Sequence, residues 1–166
     1  MTLRINEVKI DDLVRELTPE SLDYFANLEL SDEWKSYEST LEGKFVRLGD
    51  VILLGATIDF GPLDYRKMRS QLTHEMMTNH GLNGIGDEIS ARVLETAVDD
   101  QEYLRNHWPL VDAGKSAIHT DNEGDVIGLT LDNRSIDYGK ATDTIREATG
   151  ALARELLGSS ITVVVK

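Results

Sequence analysis

Cysteine is absent from the 166 residues, which excludes disulfides, thiolate metal sites and cysteine nucleophiles. Proline is scarce, at three residues, so few elements are forced to end for want of a backbone donor. No apolar run approaches the length that spans a bilayer, and Met1-Thr-Leu-Arg-Ile-Asn-Glu7 lacks the basic and apolar regions of a signal peptide. A cytoplasmic or particle-associated protein without membrane contact is therefore expected. Positive charge is also short: 17 Lys and Arg stand against 30 Asp and Glu, a formal charge of −13. Such a field repels phosphate backbones and favours basic partners, so direct nucleic-acid binding is not expected. The same acidity also serves solubility or a saline habitat, and the placement of the acids in space decides between these uses.

What is present is ordinary globular material. Hydrophobic residues make up 40% and charged residues 28%, enough apolar surface for one core in a chain of single-domain length. The most informative stretch is the last third. Residues 116–120 and 125–131 carry β-branched side chains and flank Asp121-Asn-Glu-Gly124, a run of turn formers, which predicts a hairpin. Ile145, Ala148, Leu152 and Leu156 recur at helical spacing, and Gly158 stands where a C′ glycine closes a helix. Ser160-Ile-Thr-Val-Val-Val165 is almost wholly apolar and predicts a strand covered on both faces, inside the sheet or against a partner.

Taken from the start, residues 3–10 alternate with one slip, as a bulged strand or an irregular lead-in does. Asp11 or Asp12 caps a short helix through Leu17, Thr18-Pro19 opens a second to about Leu28, and Ser31 to Trp34 opens a third whose face includes Tyr37 and Leu41. The first forty residues thus read as helix rather than sheet. Residues 44–48 and 51–58 are strand-like around Gly49-Asp50, a second hairpin. Leu63, Met68, Leu72 and Met76 mark a helix ending at His80-Gly81, and Ile89, Val93, Ala97, Leu104 and Trp108 mark another that Pro109 ends. The expected fold is a single α+β domain over 1–166, a helical lead-in over 1–42 and then hairpin, two helices, hairpin, helix and strand. The sheet is mixed and mainly antiparallel, with helices packed on one face.

Motifs that carry chemistry are incomplete. His74-Glu-Met-Met-Thr-Asn-His80 resembles half of a zinc-peptidase helix, which needs histidines four apart with a glutamate beside the first. Here they are six apart, which rotates the second imidazole about 120° away from the first at 3.6 residues per turn. Thr78 occupies the position the second ligand needs. Asp121, Glu123 and Asp125 alternate as in calcium loops, but Gly124 falls too early and the twelfth position is Asp132, so a solvated turn is the simpler account. Asp112-Ala-Gly-Lys-Ser116 ends like a phosphate loop but leads into a strand, and Gly81, Gly84 and Gly86 precede Asp87 and Glu88, which repel phosphate. No serine lies in a nucleophile elbow. Met68, Met76 and Met77 fit core packing. Arg134, Asp137 and Tyr138 lie close enough in sequence to form a polar cluster or a sheet edge.

The expectation is a non-catalytic, cofactor-free interaction or assembly protein of the inhibitor, immunity, adaptor or virion-component kind. It docks a basic protein partner, with Glu95, Asp99, Asp100 and Glu102 as contact residues, or self-associates. The alternative is a small hydrolase with a divalent metal on His74 and His80 and Glu75 as base. A further alternative is a regulator that binds a small molecule between the central helices and the sheet.

Overall fold

The computed structural model describes residues 2–4, 7–35, 40–59, 72–83, 110–135 and 139–166. The first hairpin forms as read: β4 (Thr40–Leu48) and β5 (Val51–Asp59) pair from Leu48↔Val51 out to Thr40↔Asp59. The turn between them needs the positive φ of 62° that Gly49 adopts. The second hairpin, β6 (Leu110–Thr120) with β7 (Val126–Asp132), also forms, its first strand reaching six residues further back than expected. Helix α5 (Asp143–Leu157) starts at Thr142, whose hydroxyl accepts from the Ile145 N–H, and closes at Gly158 with φ 79°. It carries the chain back so that β10 (Thr162–Val165) pairs parallel to β7.

The main sheet has six strands in the order β10-β7-β6-β4-β5-β2, antiparallel except for β10 against β7, so the α+β class with a mixed, mainly antiparallel sheet holds. Its outermost member β2 (Val14–Glu16) corrects the sequence reading of the lead-in. Leu13, Val14 and Leu17 have helical spacing, but helix α1 (Ile10–Leu13) stops after one turn and Val14 pairs with Gly55. Pairing gives the outer edge of β5 a backbone partner, which outweighs the small gain of another helical turn. Thr18 and Ser21 then exchange side-chain and backbone bonds as a capping box for α2 (Pro19–Ala26). Strands β1 (Thr2–Leu3) and β3 (Glu29–Leu30) pair parallel beside α3 (Asp32–Lys35), a single turn that does not reach Leu41, which lies in β4. A further two-residue ladder joins β8 (Arg134–Ser135) to β9 (Gly139–Lys140). Of the helix expected from Leu63 to His80-Gly81, residues 63–71 lie outside the described residues, Leu72 and Thr73 are not helical, and α4 (His74–Asn83) forms the last part; the helix expected over Ile89 to Trp108 lies outside the described residues.

Helices cover both faces of the sheet, not one. Alternation sends Leu53 and Leu54 to opposite sides, and both are fully buried. Leu53 joins Val46, Leu48 and Met77 of α4, whereas Leu54 joins Phe45, Leu22 of α2, and Ala153 and Leu157 of α5. Gly55 makes room for α4: a Cβ there would meet Leu72 and Met77 within 2.8 Å. The apolar last strand, expected to be covered twice, lies at the sheet edge. Val163 is buried under α5 while Thr162 and Val164 on the opposite face are exposed.

Strand β6 ties the sheet together by changing partners along its length. Residues 110–116 pair with β4, and residues 115–120 pair with β7. This stagger leaves a gap on each side of β6, the two placed diagonally.

Candidate functional site

The first gap, beside residues 110–114, is filled by the chain itself. Val111 packs with Ala141 and Ile145, and Asp112 carries its carboxylate into the space at zero exposure. Its Oδ1 accepts from the Ala113 N–H at 2.9 Å, and its Oδ2 accepts from the Thr149 hydroxyl of α5 at 2.7 Å and from Asn133 Nδ2. Arg47 of β4 donates through Nη1 to Thr149 Oγ1 at 3.4 Å and through Nε to the Gly49 carbonyl at 2.8 Å. Burial pushes the Asp112 carboxyl up to about 6; the donors from Thr149, Ala113 and Asn133, and the charge of Arg47, pull the other way. The cluster is an interior clasp that joins four segments. The sequence signal for it is an acid within the apolar run Leu110-Val-Asp-Ala113 and an arginine within Phe45-Val-Arg-Leu48, which motif inspection passes over because neither forms a pattern with its neighbours.

The second gap lies between residues 40–42 of β4 and residues 117–120 of β6, where the β4–β6 ladder ends at Gly43↔Ser116. It holds a cleft of about 620 Å³. Phe25, Leu41, Leu54 and Ile118 line its apolar side, and Glu42, Lys115, Asp132 and Lys166 its charged side. A third space, about 420 Å³, sits between α1, β2 and α2 and is lined by Asp11, Glu16, Glu20, Thr18, Ser21 and Arg15. The Arg15 guanidinium stacks 3.6 Å over the Tyr24 ring, and the Tyr24 hydroxyl donates to the Asp12 carbonyl.

His74 and His80 are both buried on α4, and their ring nitrogens engage different groups. His74 Nε2 lies 2.8 Å from the Gly114 carbonyl, which only accepts, so this nitrogen carries the hydrogen. His80 Nε2 stands 3.0 Å from Asp11 Oδ1, close enough for an ion pair when the ring is protonated but off the line that a hydrogen bond needs. Glu75 is exposed, and Thr78 donates its hydroxyl to the His74 carbonyl. Among the described residues only Asp121, Glu123 and Asp125 bring three ligand atoms within 4.8 Å, and all three side chains are exposed. Asp121 Oδ1 there accepts from the Glu123 and Asp125 N–H groups, so the acids shape the hairpin turn. Glu95, Asp99, Asp100 and Glu102 lie outside the described residues, as do Asp137 and Tyr138. Among the described residues no helix is long and apolar enough to cross a membrane.

The chain matches no protein-family model, no curated protein and no solved structure.

Proposed function

We propose that this chain is a non-catalytic protein-interaction module that docks a basic protein partner on its acidic surface. The observation that supports this most is the convergence of Asp11, Glu16 and Glu20 on one cleft at the β2 edge of the sheet. Acidity that served solubility alone needs no such concentration. The cation in that lining, Arg15, is drawn over the Tyr24 ring, where its charge interacts with the aromatic face. Thr18 and Ser21 add hydroxyls to the same lining. A Lys- or Arg-rich segment entering this cleft meets carboxylates on more than one side, and the field of a −13 chain steers it there.

The test uses a fluorescent oligolysine peptide as the probe, titrated at low and at moderate salt. Exchange of Glu16 and Glu20 for glutamine is expected to weaken binding about threefold to tenfold, since each exposed pair contributes roughly 0.2–1 kcal/mol. The equal charge change Glu147→Gln with Glu155→Gln on α5, both exposed, is expected to leave binding nearly unchanged. Equal losses in the two double variants would make the attraction a property of net charge and remove the docking cleft.

A further inference from the structure

The gap between β4 and β6 is unlike the other spaces because side chains from both faces of the sheet line it. Each flanking strand continues beyond the point where their common ladder stops: β4 runs three residues further to Thr40, paired with β5, and β6 runs four further to Thr120, paired with β7. Residues 40–42 and 117–120 therefore present their inner edges to one another, and among the described residues no strand pairs with either edge. The diagonal gap on the other side of β6 has the same origin and is closed by Asn133, Ala141 and Ile145. This one holds a cleft instead.

The lining of that cleft divides by strand alternation. Leu54 and Ile118 point to the side on which α2 places Phe25, and Leu41, which packs near Trp34 and Ile58, lines the cleft beside them. Glu42 and Lys115 point to the opposite, solvent side, where Asp132 stands across from Lys115 in register. A compact ligand uses one side of a sheet. A cleft with an apolar wall on one side, a charged wall on the other and backbone edges between them has the shape of a missing strand.

We propose that the cleft between β4 and β6 binds an extended peptide segment of a partner, which inserts as an additional strand. The segment alternates apolar residues, directed at Phe25, Leu41 and Ile118, with polar residues directed at the charged wall. That wall fixes the polar chemistry: Glu42 and Asp132 attract cationic side chains and Lys115 and Lys166 anionic ones, so the polar face of the segment carries both signs. Backbone pairing supplies affinity and the alternation supplies selectivity. This site is separate from the acidic cleft at β2 and stands or falls without it.

The probe is a short acetylated and amidated peptide in which valine alternates with lysine and glutamate. Two controls accompany it: a peptide of the same composition with the valines in one block, and the alternating peptide with every second amide N-methylated. In fluorescence anisotropy the alternating peptide is expected to bind about tenfold or more tighter than either control. Binding is expected to shift the amide NMR signals of residues 41–42 and 117–118. Because the chain has no cysteine, Ala117→Cys places a single thiol in the lining of the cleft, at an exposed position outside its apolar and charged walls. Ala117→Cys is expected to bind before modification, to lose binding when a bulky mixed disulfide is formed, and to regain it on reduction, which separates blockage from misfolding. Equal binding of the blocked or N-methylated peptide would overturn strand insertion. Binding that survives the mixed disulfide would place the peptide on an outer sheet edge and overturn the site.

Discussion

Asp112 is a carboxylate placed where carboxylates are seldom found, and it survives there because three donors converge on it: the Thr149 hydroxyl, the Ala113 N–H and the Asn133 amide. Desolvation still dominates and raises its pKa from 3.8 to about 6. The native state thus binds more protons than the unfolded chain between these two values, and the Asp112 contribution to stability falls as pH rises through that window. It is fully present below about 3.8 and fully lost above about 6. The size of the decline is about 3 kcal/mol at 1.36 kcal/mol per pKa unit. Urea denaturation at a series of pH values is expected to show this decline in the wild type and to lack it in Asp112→Asn. Thr149→Val keeps the shape of the side chain and removes a donor to the charged carboxylate. It is expected to destabilise the protein by about 2 kcal/mol at pH 7 and by less near pH 5, where Asp112 is largely protonated.

At the scale of elements, the change of partner along β6 rests on a glycine. A Cβ on Gly114 would stand 1.8 Å from the Asp132 carbonyl oxygen and 3.0 Å from Phe45. The first of these contacts is with backbone that β7 and the clasp hold in place. Gly114→Ala is therefore expected to destabilise the fold by about 3 kcal/mol, read as a lower denaturation midpoint with an unchanged slope. Gly128 in β7 serves as the comparison. Its added Cβ meets Thr162 O at 3.2 Å, and its substitution by alanine is expected to have the smaller effect. The elements that follow local rules were legible in the sequence: both hairpins, announced by Gly49 and by Asp121 to Gly124, and α5, announced by its stripe and by Gly158. The short strand β2 was not, because Leu13, Val14 and Leu17 fit a helix as well as a strand, and only the outer edge of β5 selects the strand.

For the molecule as a whole, the net charge is −13, the acidic side chains among the described residues are mostly exposed, and self-repulsion opposes the compact state. Raising salt from about 0.05 to 0.5 M is expected to increase Tm by about 3–6 °C, since the Debye length shrinks below the spacing of surface charges. Differential scanning fluorimetry checks this, and a Tm that falls with salt would mean that favourable ion pairs outweigh repulsion. The six-stranded sheet with helices on both faces has, among the described residues, two large buried clusters and two small ones. The sheet edge at β10 keeps Val164 on the exposed face, 45% accessible. The β4–β6 cleft and the acidic cleft lie at different places on this frame, one between two central strands and the other at the β2 edge.

The amino-acid sequence alone determined the α+β class, the two hairpins, the capped helix that follows the second, the acidity, and the lack of any thiol chemistry. These depend on periodicity, turn residues and composition, which act over a few neighbouring positions. Only the tertiary structure decided which strands stand side by side, and from that the rest follows. His74 faces the Gly114 carbonyl and His80 faces Asp11, though both lie on one helix. Asp112 meets Asn133 and Thr149, which are 21 and 37 positions away. The cleft exists because β6 leaves β4 for β7 part-way along its length. Contacts of that separation are fixed by how the two hairpins and the helices pack together on the sheet, and no local pattern encodes them.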